Sequence, residues 1–190
     1  MTIFNKIKYA TATALMVGAM SMPVQAADYV VDTKGAHASI NFRVSHLGFS
    51  FVTGRFDKFS GTFSFDEKDP SNASVKIEID ATSVNTNHAA RDKHVRSNDF
   101  LDVSKFPTAS FESTSFDVTG ENAVMHGKLT MHGVTKDISI DVEHVKGGKD
   151  PWGGIRRGFV GSTVLKFSDY NIKMDFGTVA LDFVIEGIQM

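Results

Sequence analysis

A charged segment between residues 86 and 102 holds the side chains best suited to chemistry. Arg91, Asp92, His94 and Arg96 lie close together there, in a stretch that is compatible with a helix. Arginine matches the geometry of phosphate and carboxylate groups, and histidine and aspartate can transfer protons. The segment can therefore either bind an anionic head group or supply acid and base groups to a reaction.

We predict a short helix around residues 87–97. On such a helix Asp92 lies one turn after His88 and one turn before Arg96, so its carboxylate can pair with both side chains. Arg91 and His94 are three residues apart and share a second stripe. Two interpretations stay open. Arg91, His94 and Arg96 bind a polar or pyrophosphate head group, or they brace the helix through ion pairs.

Other catalytic and metal-binding patterns are weak. The seven histidines form no His-Glu-x-x-His motif, and His88 and His94, six residues apart, do not share a helical face. The chain has no cysteine, which excludes thiol catalysis, iron–sulfur clusters and Cys-ligated zinc. We therefore predict no catalytic residue, no metal and no cofactor. The first alternative is an enzyme acting on an isoprenoid or fatty substrate, with Arg91, Asp92 and His94 as its acid–base groups.

The first 26 residues are typical of a secretory signal peptide. Lys6 and Lys8 precede an apolar run, and Val24-Gln25-Ala26 offers a small-x-small cleavage site. The run is shorter than the ~20 residues that a membrane-spanning helix needs. We predict cleavage after Ala26, which gives a periplasmic protein that is not membrane-integral, with one domain over residues 27–190.

The charge of the mature chain argues against a nucleic-acid partner. Residues 1–26 carry two lysines and no acid, so cleavage leaves 18 basic and 22 acidic residues and a net charge of −4. Binding to phosphate backbones needs a concentrated positive surface. One domain of this length can bury a sufficient core without disulfides.

The mature chain is dominated by strands, because apolar and polar residues alternate with a period of two. Between residues 51 and 65 the apolar parity switches near Asp57-Lys58, which predicts a bulge or tight turn. His132-Gly133 predicts a hairpin turn, and the composition of residues 146–154 predicts a loop. The clearest alternating segments are residues 39–44, 75–80, 137–143 and 179–186.

About eight strands in one domain, with little helix, predict an all-β closed barrel or a sandwich. Two observations favour the barrel. Strands this long are difficult to leave with open edges, and the mature chain holds fifteen phenylalanines, which suit the lining of a wide interior. An eight-stranded antiparallel barrel is just large enough to hold one ligand.

Motifs along the whole mature chain resemble those of the YceI-like family of secreted, lipocalin-like polyisoprenoid-binding proteins. One departure is Lys173-Met-Asp-Phe-Gly177, where many relatives carry an arginine before Asp-Phe-Gly. The matching motifs include Asp28-Tyr-Val-Val-Asp32, Thr86-Asn-His-Ala-Ala-Arg-Asp-Lys-His94, Gly127-Lys-Leu-Thr-Met-His-Gly-Val-Thr-Lys136 and Asp150-Pro-Trp-Gly-Gly154, with further matches at residues 37–48, 54–61, 99–101, 106–107, 111–113 and 157–159.

The resemblance implies an extended antiparallel, lipocalin-like barrel of about eight strands that is closed by a short helix. It also implies binding, transport or storage of an isoprenoid or other long-chain lipid, without established catalytic activity. The second alternative is a structural or stress-response protein whose barrel is filled by its own side chains. A homodimer is left open.

Strand parity indicates which side chains face the interior and would line a lipid site. Ordinary core packing is the alternative for each of them, because parity does not show whether a void remains. The predicted lining consists of Phe42, Val44, Phe56, Phe63, Ile77, Ile79, Phe111, Leu129, Met131, Phe159, Leu165, Leu181 and Phe183.

Overall fold

The computed structural model describes residues 26–190 of the protein. The predicted signal peptide falls almost entirely on residues outside this range, so the leader and its cleavage site remain predictions. Within residues 26–190, no helix is long and apolar enough to cross a membrane.

The described chain is built mostly of β-strands, with a single α-helix. Short 3₁₀ turns cover Pro70–Asn72, Ala81–Ser83 and Phe167–Tyr170. The strands and the helix are β1 Ala27–Val31, β2 Ser39–His46, β3 Ser50–Phe56, β4 Phe59–Phe65, β5 Ser74–Asp80, β6 Val84–Asn85, α1 Ala89–Val95, β7 Thr108–Thr119, β8 Asn122–Met131, β9 Val134–Lys149, β10 Ile155–Lys166 and β11 Thr178–Gln189.

The strands form one closed antiparallel barrel. The ring runs β1-β4-β5-β7-β8-β9-β10-β11 and returns to β1, which pairs with both β4 and β11. Strands β1 and β2 lie end to end along β11 and together form one long strand. In the same way, β3 extends β4, and β6 extends β5. Eight long strands therefore enclose the interior, as the all-β prediction expects.

The first three of these long strands are each interrupted, and the interruptions are neighbours in the wall. Strand β3 ends at Phe56 and β4 begins at Phe59, which confirms the predicted switch at Asp57-Lys58. The amide of Asp57 donates to the carbonyl of Ser83 at 3.2 Å, next to the break between β5 and β6. The switch lets apolar residues on both sides of the break face inward.

The turn predicted at His132-Gly133 is confirmed. Both residues have positive φ, 52° and 74°, as a two-residue hairpin turn of the favoured hand requires. The loop predicted over residues 146–154 is wrong in its first half, because β9 continues to Lys149. Gly147 pairs with Arg157 of β10, and a side chain at Gly147 would collide with that guanidinium. Gly147 therefore allows close packing inside a strand.

The helix is shorter than predicted, Ala89–Val95 against residues 87–97. Asn87 has a φ of 59° and cannot continue a right-handed helix. His88 caps the helix instead, and its Nδ1 accepts a hydrogen bond from the amide of Arg91 at 3.2 Å. The helix lies between β6 and β7, at the end of the barrel to which β2 and β3 also lead.

Candidate ligand-binding cavity

A cavity of about 580 Å³ lies inside the barrel. Pockets that bind small molecules commonly measure roughly 300–1,000 Å³ and have mostly apolar walls. At one end the cavity reaches Arg91 and His94 of the helix segment, and at the other it reaches Glu67, Glu121 and His144. The long dimension of this space therefore follows the barrel axis, with polar groups near both ends.

All thirteen side chains expected to face inward line this cavity. Strand parity found them because successive side chains on a strand point to opposite faces. Their contact with a ligand remains a prediction. Other lining residues were missed, and they include Phe100, Met174 and Phe176, which lie outside the strands where parity carries no information.

At the helix end, Arg91 is held by Thr86. Its Nε donates to the Thr86 hydroxyl and its Nη2 donates to the Thr86 carbonyl oxygen, both at 2.8 Å. The Asp92 carboxylate accepts from the amide and the hydroxyl of Thr86, at 2.7 and 2.5 Å. Burial raises the pKa of Asp92, but the hydrogen bonds from Thr86 outweigh it and the pKa lies below its ordinary value. The buried Thr86 therefore forms hydrogen bonds with both charged side chains at this end of the cavity.

The pairing expected between Asp92 and Arg96 is replaced by other contacts. Arg96 donates from Nη1 to the carbonyl of Val84 at 3.3 Å and is not part of the cavity lining. His94 Nε2 lies 3.2 Å from the Asp99 carboxylate. Of the three basic side chains predicted as head-group or brace residues, the structure brings only Arg91 and His94 to the cavity. Both are hydrogen-bonded within the protein.

At the opposite end, His144 is the polar side chain that sequence reasoning missed. It follows Ile138, Ile140 and Val142 at the inward parity of β9, so a polar residue in an apolar series was the available signal. The residue lines the cavity, and its buried Nε2 atom has no hydrogen-bond partner among residues 26–190. The ring centroid lies 5.1 Å from that of Phe159.

Arg157 lies near the same end but is not part of the cavity lining, and its buried Nη1 has no hydrogen-bond partner within the described residues. Its Nε donates to the Tyr29 hydroxyl at 3.0 Å, and its Nη2 lies 2.6 Å from Glu67. The guanidinium also lies over the ring of Phe65, 4.8 Å from the centroid. Its charge is therefore balanced by a carboxylate and partly covered by an aromatic face.

A second charged cluster lies on the outer side of the barrel. Asp32, His37 and Glu186 are close enough to hold a metal ion. The guanidinium of Arg156 already occupies the space between them, since its Nη1 donates to Asp32 at 2.7 Å and to Glu186 at 2.5 Å. Its Nε donates to Asp150 at 2.8 Å. The cluster therefore ties the loop after β1 to β10 and β11.

Comparisons with known proteins agree with this architecture. A YceI-like domain model matches residues 29–187. A UPF0312 protein of Vibrio parahaemolyticus is 51% identical over 190 residues, which cover 97% of this chain and 99% of the relative. A YceI protein of Campylobacter jejuni is 28% identical, with a TM-score of 0.70 over 77% of this chain and 90% of its own. A polyisoprenoid-binding domain from Saccharophagus degradans has the same fold, with a TM-score of 0.64 at 20% identity, and the match covers 87% of this chain and 100% of that domain.

Proposed function

This chain belongs to the YceI-like family, and we propose that it is a carrier that binds an isoprenoid or other long-chain lipid inside its barrel. The observation that carries the proposal is the apolar cavity of about 580 Å³ that follows the barrel axis. The polyisoprenoid-binding domain of Saccharophagus degradans has the same fold, which supports this class of ligand.

The apolar wall can supply the binding energy of a hydrocarbon chain. Burial of a methylene group contributes about 0.8 kcal/mol, so ten buried carbons contribute about 8 kcal/mol before the entropic costs of association. The proposed wall is the set of thirteen strand residues, among which Phe42, Phe111 and Phe183 are examples from three different strands. One chain supplies the complete lining, so binding does not depend on a homodimer.

Binding is favoured over catalysis by the state of the polar groups. Arg91, Asp92 and His94 would be the acid–base groups of an enzyme. The first two form hydrogen bonds with Thr86, and His94 lies 3.2 Å from Asp99. Binding is also favoured over a filled structural barrel, because side chains that filled the interior would leave no space of this size. The net charge of −4 for the mature chain disfavours a nucleic-acid partner.

We place the mature carrier in the periplasm, with its signal peptide removed after Ala26. The basic residues Lys6 and Lys8, the apolar run and the small-x-small site support this location. Intact-mass measurement of the protein from its native host checks it. We expect a mass that corresponds to residues 27–190, and a full-length product would contradict the export proposal.

The carrier proposal is tested by the ligand content of natively purified protein. We expect an organic extract to contain a long-chain lipid in near-stoichiometric amount, detected by mass spectrometry. The delipidated protein should melt at a lower temperature than the lipid-loaded protein, because a ligand that binds only the folded state stabilises it by mass action. Equal melting temperatures for the two forms would refute the proposal.

A further inference from the structure

We propose that His144 binds the polar end of the ligand and that this end carries an uncharged hydroxyl group. The inference rests on the proposed function, because it assigns the orientation and the head-group chemistry of the lipid in the same cavity. The hydrocarbon chain would then extend from His144 along the apolar wall toward the helix end, where Arg91 and His94 lie.

The imidazole of His144 has an unsatisfied nitrogen. A buried polar atom without a hydrogen-bond partner is costly, and native structures rarely keep one without a reason. His144 Nε2 is such an atom, and its residue belongs to the cavity wall. A ligand that offers a hydrogen bond at this point removes the cost, whereas a pure hydrocarbon does not.

Aromatic side chains pack against the ring. The imidazole contacts Phe65 and Phe159, with ring centroids 5.6 and 5.1 Å away, and these two phenyl rings also contact each other at 5.3 Å. The amide of His144 donates to the carbonyl of Glu121 at 2.9 Å, which anchors this part of β9 to the adjacent hairpin. These contacts restrict the movement of the ring, as a specificity-determining group requires.

Carboxylates set the charge at this end of the cavity, because Glu67 and Glu121 line it together with His144. The guanidinium of Arg157 is not part of the lining, and its charge is balanced by Glu67 at 2.6 Å, although its buried Nη1 has no acceptor among residues 26–190. An anionic head group would lose its hydration here and would meet carboxylates. The site therefore favours an uncharged polar group.

A hydroxyl fits better than a carbonyl because of the hydrogen-bonding chemistry of imidazole. In neutral histidine, Nε2 is a donor in one tautomer and an acceptor in the other. A hydroxyl both donates and accepts, so it satisfies either tautomer, whereas a carbonyl can only accept. The ligand class that follows is a prenyl alcohol or a similar long-chain alcohol.

The helix end offers no comparable site. Two nitrogens of Arg91 donate to Thr86, and His94 pairs with Asp99. A head group that bound through these atoms would break existing hydrogen bonds, which the unpaired nitrogen of His144 does not require. The end of the cavity that holds the unpaired nitrogen is the end that gains most from a polar ligand atom.

The test compares three probes on the delipidated full domain: geranylgeraniol, geranylgeranyl phosphate and the headless hydrocarbon phytane. We expect wild-type protein to bind geranylgeraniol more tightly than geranylgeranyl phosphate. His144→Leu should weaken geranylgeraniol binding about three- to tenfold, the worth of one neutral hydrogen bond, and leave phytane binding nearly unchanged. His144→Gln should restore most of the affinity for the alcohol, because an amide also donates and accepts.

The matched control is His126→Leu. His126 lies in β8 on the outer face, where its ring contacts Ser139 and Asp117, and its replacement should change no lipid affinity. Equal weakening of geranylgeraniol and phytane by His144→Leu, or tighter binding of the phosphate than of the alcohol, would overturn the assignment while leaving the carrier intact. Failure of all three probes to bind wild-type protein would overturn the carrier as well.

Discussion

Arg91 is fastened to Thr86 by two hydrogen bonds of 2.8 Å, one to the hydroxyl and one to the backbone carbonyl. The threonine follows β6 and the arginine lies in α1, so this contact joins the closing helix to the barrel wall. The amide and the hydroxyl of the same threonine donate hydrogen bonds to the carboxylate of Asp92. The geometry supports a brace at the helix end of the cavity.

We expect Arg91→Ala to loosen this brace. The variant should lose about 1.5–3 kcal/mol of stability, the usual range for hydrogen bonds to a charged group. Its affinities for lipids with and without a head group should fall by the same factor, because the helix borders the cavity whichever ligand is bound. Thermal melts and binding titrations with geranylgeranyl phosphate and phytane measure both effects.

The control for this prediction is Lys93→Ala, since Lys93 is an exposed residue on the same helix. It should leave stability and binding close to those of the wild type. A selective loss of the phosphate-headed lipid in Arg91→Ala would instead show that Arg91 binds a head group.

Phe63 and Phe183 should respond differently to truncation, although both line the cavity. Phe63 is 6% exposed and stacks on Tyr29 with ring centroids 4.8 Å apart, whereas Phe183 is only partly buried. Phe63→Ala should therefore cost about 3–5 kcal/mol, as other buried phenylalanines do. Phe183→Ala should cost clearly less and should mainly alter lipid affinity.

Chemical denaturation of the delipidated variants, followed by lipid titration, separates the two effects. The Phe183 side chain is less buried than that of Phe63, so its removal deletes fewer packing contacts. Equal loss of stability in the two variants would mean that Phe183 acts as ordinary core rather than as cavity wall.

Acid should weaken the protein through Asp32. The hydrogen bond from Arg156 lowers the pKa of Asp32 most, and those from His37 and the amide of Gly35 lower it further, well below the ordinary 3.8. A carboxyl with a lowered folded-state pKa contributes stability that is present above its unfolded pKa and is lost as pH falls toward the folded pKa. The loss should therefore begin below about pH 4.

Asp32→Asn isolates this contribution. The variant should be less stable than the wild type near neutral pH, and the difference in free energy of unfolding should shrink as pH falls below about 4. The control is Asp137→Asn. Asp137 pairs with Lys128 through side chains that are 80% and 57% exposed, and such surface pairs contribute little. A pH-independent difference for Asp32→Asn would contradict the linkage.

Alkali should act through Tyr170. Burial raises the pKa of its phenol to about 12, from an ordinary 10.0. Between pH 10 and about 12 the phenol ionises in the unfolded state but stays neutral in the folded state. The free energy of unfolding is therefore fully retained below pH 10 and falls as pH rises from 10 to about 12. Stability curves of the wild type and Tyr170→Phe, measured over this interval, should separate.

Tyr170→Phe should be tolerated near neutral pH. The Tyr170 hydroxyl is buried and lacks a hydrogen-bond partner within the described part of the chain, so its removal abolishes no such bond. We expect the variant to be as stable as the wild type, or slightly more stable, and to lose less stability above pH 10. A large loss near neutral pH would show that the hydroxyl has a partner, such as a bound water.

Strand parity predicted the strands and which side chains face the interior, because the period of two directly reports the inward face. The choice of a barrel over a sandwich came from the length of the strands, the number of phenylalanines and the family resemblance. It also located the break at Asp57-Lys58 and the turn at His132-Gly133. Composition misled at Gly147 and Gly148, which read as a loop but pair within a strand. Glycine indicates conformational freedom or close packing, and the sequence alone does not separate the two.

The details of the site depended on contacts that spacing along a helix does not reveal. The helical pattern suggested that Asp92 pairs with Arg96, but Thr86, which precedes the helix, binds the carboxylate instead. His144 was overlooked because strand parity was used to collect apolar residues. A search for polar residues at apolar parity would have found it, although its unpaired nitrogen is visible only in the structure.

The barrel is closed by pairing its first strand with its last, and Tyr29 lies opposite Gln189. Contacts between residues so far apart in sequence make folding slow, because loop-closure entropy must be overcome before they form. A nascent chain that lacks β11 would leave open edges on β10 and β1. The ring can therefore be completed only after synthesis of β11, and the unfolded chain is available until then for the export proposed above.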